Sequence, residues 1–173
     1  MDGTKIVDRE EILIRVHEFY SDLYKDISGT HSLLILDDGL ECTNDDKFPE
    51  ITQDEVEFSL RNFKNGKSPG EDGIQSELLK LGGEEIHKVL AKLYNECLKQ
   101  RKIPATWNNA TMILIFKKGD KNDIKNYRPI SLLSAMYKLF TRIITARIEK
   151  QLDFHQPREQ AGFRRGFSTM DHI

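Results

Sequence analysis

The stretch Thr111-Met-Ile-Leu-Ile-Phe-Lys-Lys-Gly-Asp-Lys-Asn-Asp-Ile-Lys-Asn-Tyr-Arg-Pro-Ile-Ser-Leu-Leu133 decides the architecture. Thr111 to Phe116 is an apolar, β-prone run. Lys117 to Asn126 is a polar turn holding Gly119 and two aspartates. Tyr127 to Leu133 starts out extended, because the ring of Pro129 pushes Arg128 away from helical backbone angles. Two extended runs joined by a polar turn predict a small antiparallel β element.

The segments around it read as helices. Ser134 to Gln151 places Met136, Leu139, Phe140, Ile143, Ile144 and Ile148 on one side at helical spacing. Glu84 to Gln100 carries a stripe of Ile86, Val89, Leu90, Leu93, Tyr94, Cys97 and Leu98, with Lys99, Arg101 and Lys102 at the end where the helix dipole favours cations. Ile74 to Leu81 is a short helix closed by Gly82-Gly83. Thr52-Gln53-Asp54-Glu55 forms a capping box that opens a helix to about Phe63, and Ile51 with Val56 can staple its entry. Asn65 to Gly73 holds three glycines and a proline and cannot be helical. Asp8 can cap a helix to Lys25 whose apolar positions are Ile12, Val16, Phe19, Tyr20 and Leu23. Gly29 to Pro49 is an acidic linker with a weak strand signal at Leu33 to Leu36. The fold class expected is α+β, mostly helical. Residues 1–50 form an acidic connector with its helix, and residues 51–173 form the main body.

The 173 residues carry a net charge of −2, which conceals an asymmetry. Met1 to Leu60 holds 5 basic and 16 acidic residues, whereas Arg61 to Ile173 holds 21 and 12. An acidic arm on a basic body suggests that the body meets an anion, most often nucleic acid, although two solvated faces would give the same counts. Cys42 and Cys97 form no CxxC pair, and Met1 to Lys5 has no apolar signal region, so an intracellular protein is expected. The longest apolar runs are far too short to span a bilayer, and no membrane partner is expected.

Candidate chemistry is sparse. Gly66-Lys67-Ser68 ends like a phosphate-cradling P-loop, but Arg61 stands where the leading glycine is needed and no strand precedes it. Asp37-Asp38 after an apolar run could present metal-binding carboxylates, yet Asp38-Gly39 is equally a hairpin turn and no second acidic strand is evident. The histidines have no zinc-ligand spacing with a cysteine, and no catalytic residues are assigned. Lys117, Lys118, Lys121, Lys125 and Arg128 are different, being cations gathered on one turn, which suits a triphosphate or a nucleic-acid backbone. The residues alone favour a solvated hairpin tip.

Four blocks then carry a resemblance. Lys64-Asn-Gly-Lys-Ser-Pro-Gly-Glu-Asp-Gly-Ile74, with Lys102-Ile-Pro-Ala-Thr-Trp107 behind it, resembles the opening of the reverse transcriptase domain of non-LTR, LINE-type retrotransposons. Ile113 to Asp120 and Asn126 to Leu133 resemble the first fingers block, and Gln160-Ala-Gly-Phe-Arg-Arg-Gly-Phe-Ser-Thr-Met-Asp171 the second. Leu152 to Gln160 is most similar to the RTE-like (BovB-type) clade. The likeness spans about Ile51 to Ile173. Glu71 and Phe116 stand where many relatives have proline, and both keep the loop and strand character.

The resemblance implies the fingers, and the start of the palm, of a right-hand RNA-directed DNA polymerase. It reverses the reading of the turn: Lys117 (or Lys118) and Arg128 would bind the incoming nucleotide's triphosphate. Lys67, Lys121 and Lys125 would contact nucleic acid, as would Phe163, Arg164 and Arg165, where an aromatic face can stack on a base and arginines can hold phosphates. In the full-length protein the partners would be an RNA template, a DNA primer and dNTP. Palm blocks bearing the catalytic aspartates for Mg2+ would follow Ile173, and an endonuclease domain would lie upstream. The chain alone is therefore expected to need no cofactor and to lack polymerase activity. A nucleic-acid-binding module or an inert element remnant are the alternatives, and a palm-less C-terminal twenty residues should pack poorly.

Overall fold

A computed structural model describes residues 6–25 and 48–155. Five α-helices and a two-stranded antiparallel sheet account for most of them, so the fold is mostly helical α+β. In order these are α1 (Arg9–Leu23), α2 (Gln53–Arg61), α3 (Ser76–Leu81), α4 (Gly83–Gln100), β1 (Thr111–Phe116), β2 (Tyr127–Leu132) and α5 (Ala135–His155). Short 3-10 turns at Ala105–Asn108 and Ile124–Asn126 complete the order. The chain divides into two compact units. One draws on Met1–Pro49 and Leu114–Ile130, the other on Glu50–Ile113 and Ser131–Ile173.

The second unit holds the core. Val56 and Leu60 of α2, Leu90, Tyr94 and Cys97 of α4, Trp107, and Leu139, Phe140 and Ile143 of α5 are buried together. The capping box is present as the sequence predicts: the Thr52 hydroxyl accepts from the Glu55 N–H, and the Glu55 carboxylate accepts from the Thr52 N–H. Ile51 and Val56 are both buried at its start. The Asn95 side-chain amide fixes that entry twice, accepting from the Ile51 N–H at 2.7 Å and donating to the Ile51 carbonyl at 2.9 Å. Arg147 of α5 closes the same end. It grips Glu55 with two nitrogens, at 2.8 and 2.6 Å, and donates to the Glu50 carbonyl at 2.9 Å. This bidentate pair is half-buried, where such forks are strongest. The Arg147 hydrogen bonds hold the Glu55 carboxyl below the usual carboxylate range, against an opposing push from burial.

Aromatic rings fill the centre. Tyr94 stacks at a tilt on Phe140 with centroids 5.3 Å apart, and Trp107 packs on Phe140 and Tyr137 at 5.8 and 5.5 Å. The Tyr94 hydroxyl donates to the Met136 carbonyl at 3.0 Å, and burial pushes its pKa up.

Two stripes differ from their sequence reading. In α4, Ile86 and Val89 are exposed, while His87 and Ala91 take the buried positions beside Leu90 and Tyr94. Among the described residues neither ring nitrogen of His87 finds a hydrogen-bond partner. In α1, Asp8 caps the helix as expected, but Ile12 and Leu23 are exposed and Tyr20 alone among its residues is buried. The strand signal at Leu33 to Leu36, the Asp37-Asp38 pair and all but the first two of the C-terminal twenty residues lie outside the described residues.

Candidate nucleic-acid interface

The turn between β1 and β2 is built by its own polar groups. Gly119 adopts φ +95°, which a side chain would resist, and the Asn126 amide lies directly against it. The Asn126 Nδ2 donates to the Asp120 carbonyl at 2.9 Å, and the Lys117 N–H donates to the Asn126 carbonyl at 2.9 Å, closing the loop at its neck. The Tyr127 hydroxyl donates to the Lys121 carbonyl at 2.9 Å. Phe116 and Tyr127 meet edge to face at 5.5 Å, and the Lys121 ammonium sits 5.8 Å from the Phe116 ring centre.

Both turn carboxylates are occupied locally. Asp120 accepts from the Asn122 N–H at 2.9 Å and its side chain at 3.0 Å, and Asp123 accepts from the Lys125 N–H at 3.0 Å. They act as turn formers. Lys117, Lys118, Lys121, Lys125 and Arg128 are all exposed, and none forms an ion pair with a described residue. The turn therefore offers five cations against two internally bonded carboxylates within the first unit. A loop of this kind can take several phosphate oxygens without first giving up an ion pair.

Lys67 belongs to the second unit, exposed on the loop between α2 and α3. That loop is also fixed. The Lys80 ammonium donates to the Phe63 carbonyl at 2.6 Å and to the Asn65 side-chain oxygen at 2.7 Å. Glu77 accepts from the Gly66 N–H, and that bond holds its carboxyl below the usual range. Gly66 and Gly73 take positive φ of 70° and 67°, and Gly70 lies flat against the Leu133–Ser134 backbone. Phe163, Arg164 and Arg165 lie outside the described residues.

Among the described residues no three His, Cys, Asp or Glu side chains come together as a metal ion would need. No helix among them is long and apolar enough to cross a membrane.

No protein-family model matches the chain. Curated proteins do. The chain is 34% identical over 160 residues to the transposon TX1 uncharacterized 149 kDa protein of Xenopus laevis, covering 87% of this chain and 12% of that protein. It is 34% identical over 126 residues to the retrovirus-related Pol polyprotein from type-1 retrotransposable element R1 of Bradysia coprophila, covering 71% and 12%. It is 32% identical over 126 residues to the probable RNA-directed DNA polymerase from transposon BS of Drosophila melanogaster, covering 71% and 14%. The chain thus spans about an eighth of the length of these relatives. Its homologues are RNA-directed DNA polymerases of non-LTR retrotransposons, and it is homologous to one part of them.

Proposed function

We propose that this chain supplies the fingers of a right-hand RNA-directed DNA polymerase, and that the β1–β2 turn holds the triphosphate of the incoming deoxynucleotide. The carrying observation is the turn itself, with five exposed cations on a hydrogen-bonded frame whose two aspartates are already occupied. Lys117 or Lys118 and Arg128 flank the neck of the hairpin and would bind the phosphates. Lys121 and Lys125 at the tip would meet the template backbone. RNA template, DNA primer and dNTP are partners of the whole polymerase, and magnesium would be held by carboxylates of its palm. In this reading the parent element is of the RTE type, which the likeness of Leu152 to Gln160 to that clade supports.

Titration of the chain with a fluorescent deoxynucleoside triphosphate tests the turn. Each charge-assisted hydrogen bond contributes about 1.5–3 kcal/mol. Lys117→Gln, Lys118→Gln and Arg128→Gln together should therefore weaken binding by more than about tenfold. Equal affinity of the wild type and the triple variant would refute the assignment.

A further inference from the structure

Of the five prolines in the chain one follows a hydroxyl residue, and Ser68-Pro69 is the sole Ser/Thr-Pro pair. The polymerase reading leaves this serine without a task. Pro69 has no N–H and pushes Ser68 towards extended backbone. The segment from Lys67 to Gly70 is neither helix nor strand, and Ser68 is exposed on it. An exposed hydroxyl on extended backbone before a proline is the form in which a proline-directed protein kinase takes its substrate.

The surroundings of Ser68 suit what such a kinase would add. Ser68 lines a groove of about 330 Å³ between the loop after α2 and the first turns of α5. Lys64 and Lys67 line it from the loop, and Lys138 and Arg142 from α5, one helical turn apart. No described carboxylate lines the groove, and none of the four cations forms an ion pair with a described residue. A neutral hydroxyl relieves little of that positive field, whereas a phosphate ester on the same oxygen would relieve much of it.

Both walls are held in place. The Arg142 guanidinium lies 5.8 Å from the Phe63 ring centre, which steadies a long side chain at the rim. Lys80 and Glu77 clamp the loop before Ser68, at Phe63, Asn65 and Gly66. Gly70 anchors it after Ser68, against the Leu133–Ser134 backbone. The Ser134 hydroxyl precedes α5 and bonds to no described residue, so it leaves the leading N–H groups of that helix without a cap from this side chain.

We propose that Ser68 is a phosphorylation site, and that its phosphate latches the loop to α5 through Lys138 and Arg142, flanked by Lys64 and Lys67. The co-reactant is ATP. The Ser68 oxygen attacks the γ-phosphorus, the new O–P bond forms as the bond to the bridging oxygen breaks, ADP leaves, and the hydroxyl proton passes to the kinase's base. The product carries a charge of about −1.5 to −2 at pH 7 and three acceptor oxygens, enough to offset two of the four cations. This modification goes beyond the polymerase reading and does not depend on it.

The experiment treats the full folded chain with a proline-directed serine/threonine kinase, ATP and magnesium, and maps the phosphate by mass spectrometry of its peptides. Ser68 should carry it. An unmodified Ser68, or one modified only after the chain is unfolded, would overturn the proposal. Phosphorus NMR of the phosphorylated chain then reads the latch without any substitution. The second ionisation of phosphoserine lies near ~6, and opposite charges close by lower a pKa by about 1–3, so the folded chain should titrate at about pH 5 or below and the chain in urea near ~6. Lys138→Gln with Arg142→Gln, both on the surface of α5, should return the folded midpoint towards ~6. A folded midpoint already near ~6, or one that this pair of substitutions leaves unmoved, would overturn the latch. Either failure leaves the triphosphate assignment untouched, because the β1–β2 turn belongs to the other unit.

Discussion

Replacing Gly70 with alanine should destabilise the second unit more than its half-buried loop position suggests. An added Cβ would lie 2.6 Å from the Leu133 carbonyl carbon, 2.6 Å from the Ser134 nitrogen and 2.9 Å from the Leu133 oxygen. Ordinary contacts begin near ~3.5 Å, so something must move by about 1 Å. Every opposing atom is backbone at the entry to α5, so no side-chain rotation can relieve the clash. Overpacking of this kind costs about 1–3 kcal/mol. Gly66→Ala is the matched control. Its φ of 70° strains any side chain, but nothing lies within 4 Å of the new methyl group. It should cost about 1–2 kcal/mol from the backbone alone, and Gly66→Asn should recover much of that because asparagine tolerates this conformation. Gly70→Ser, by contrast, should be at least as costly as Gly70→Ala. Urea unfolding followed by Trp107 fluorescence reads the effect directly, since Trp107 is the only tryptophan and is buried in this core. Gly70→Ala with an unchanged midpoint and slope would refute the reasoning, because it would mean that loop and helix separate at no cost.

Three further outcomes follow from the packing. Leu139 is fully buried in the core cluster, so Leu139→Ala should cost about 2–5 kcal/mol by thermal unfolding, and a loss under ~1 kcal/mol would contradict that packing. Arg147→Met removes the partner that lowers the Glu55 pKa from its ordinary value of 4.5. A depressed carboxylate stabilises the fold above its unfolded pKa and loses that stabilisation as pH falls through the folded value, so the wild-type advantage should be constant at neutral pH and shrink below about pH 4.5. An advantage of the same size at pH ~3 would show that Glu55 is not the linked group. Cys97 is buried and its thiol pKa is raised by burial, so in a Cys42→Ser chain a thiol reagent should label it only on the timescale of unfolding; immediate native-state labelling would rule that out.

The local signals in the sequence are the ones that the structure reproduces. The Thr52–Glu55 box, the Asp8 cap, the Pro129-extended strand and the glycine turns each depend on residues a few positions apart, and all are present. What needed three dimensions was which partner each surface meets. Hydropathy places Ile86 and Val89 on the α4 stripe, but α4 turns His87 and the small Ala91 into the interior instead. In α1 the periodicity identifies an apolar face without revealing that Tyr20 alone of it is buried. The cationic turn was legible because its five charges fall within twelve residues.

The β1–β2 ribbon has a consequence for how this chain behaves in a tube. Among the described residues it is two strands and no more, with both outer edges unpaired and with Met112, Ile113, Ile115 and Ile130 exposed. Such a ribbon is a template for adding further strands from other molecules. Lys117 and Lys118 directly follow β1, and Arg128 lies within β2, so like charges meet wherever two ribbons approach edge to edge. These cations should therefore act as gatekeepers against self-association. Neutralising them should raise light scattering with protein concentration, and a bound polyanion should have the same effect by cancelling the repulsion that keeps the ribbons apart.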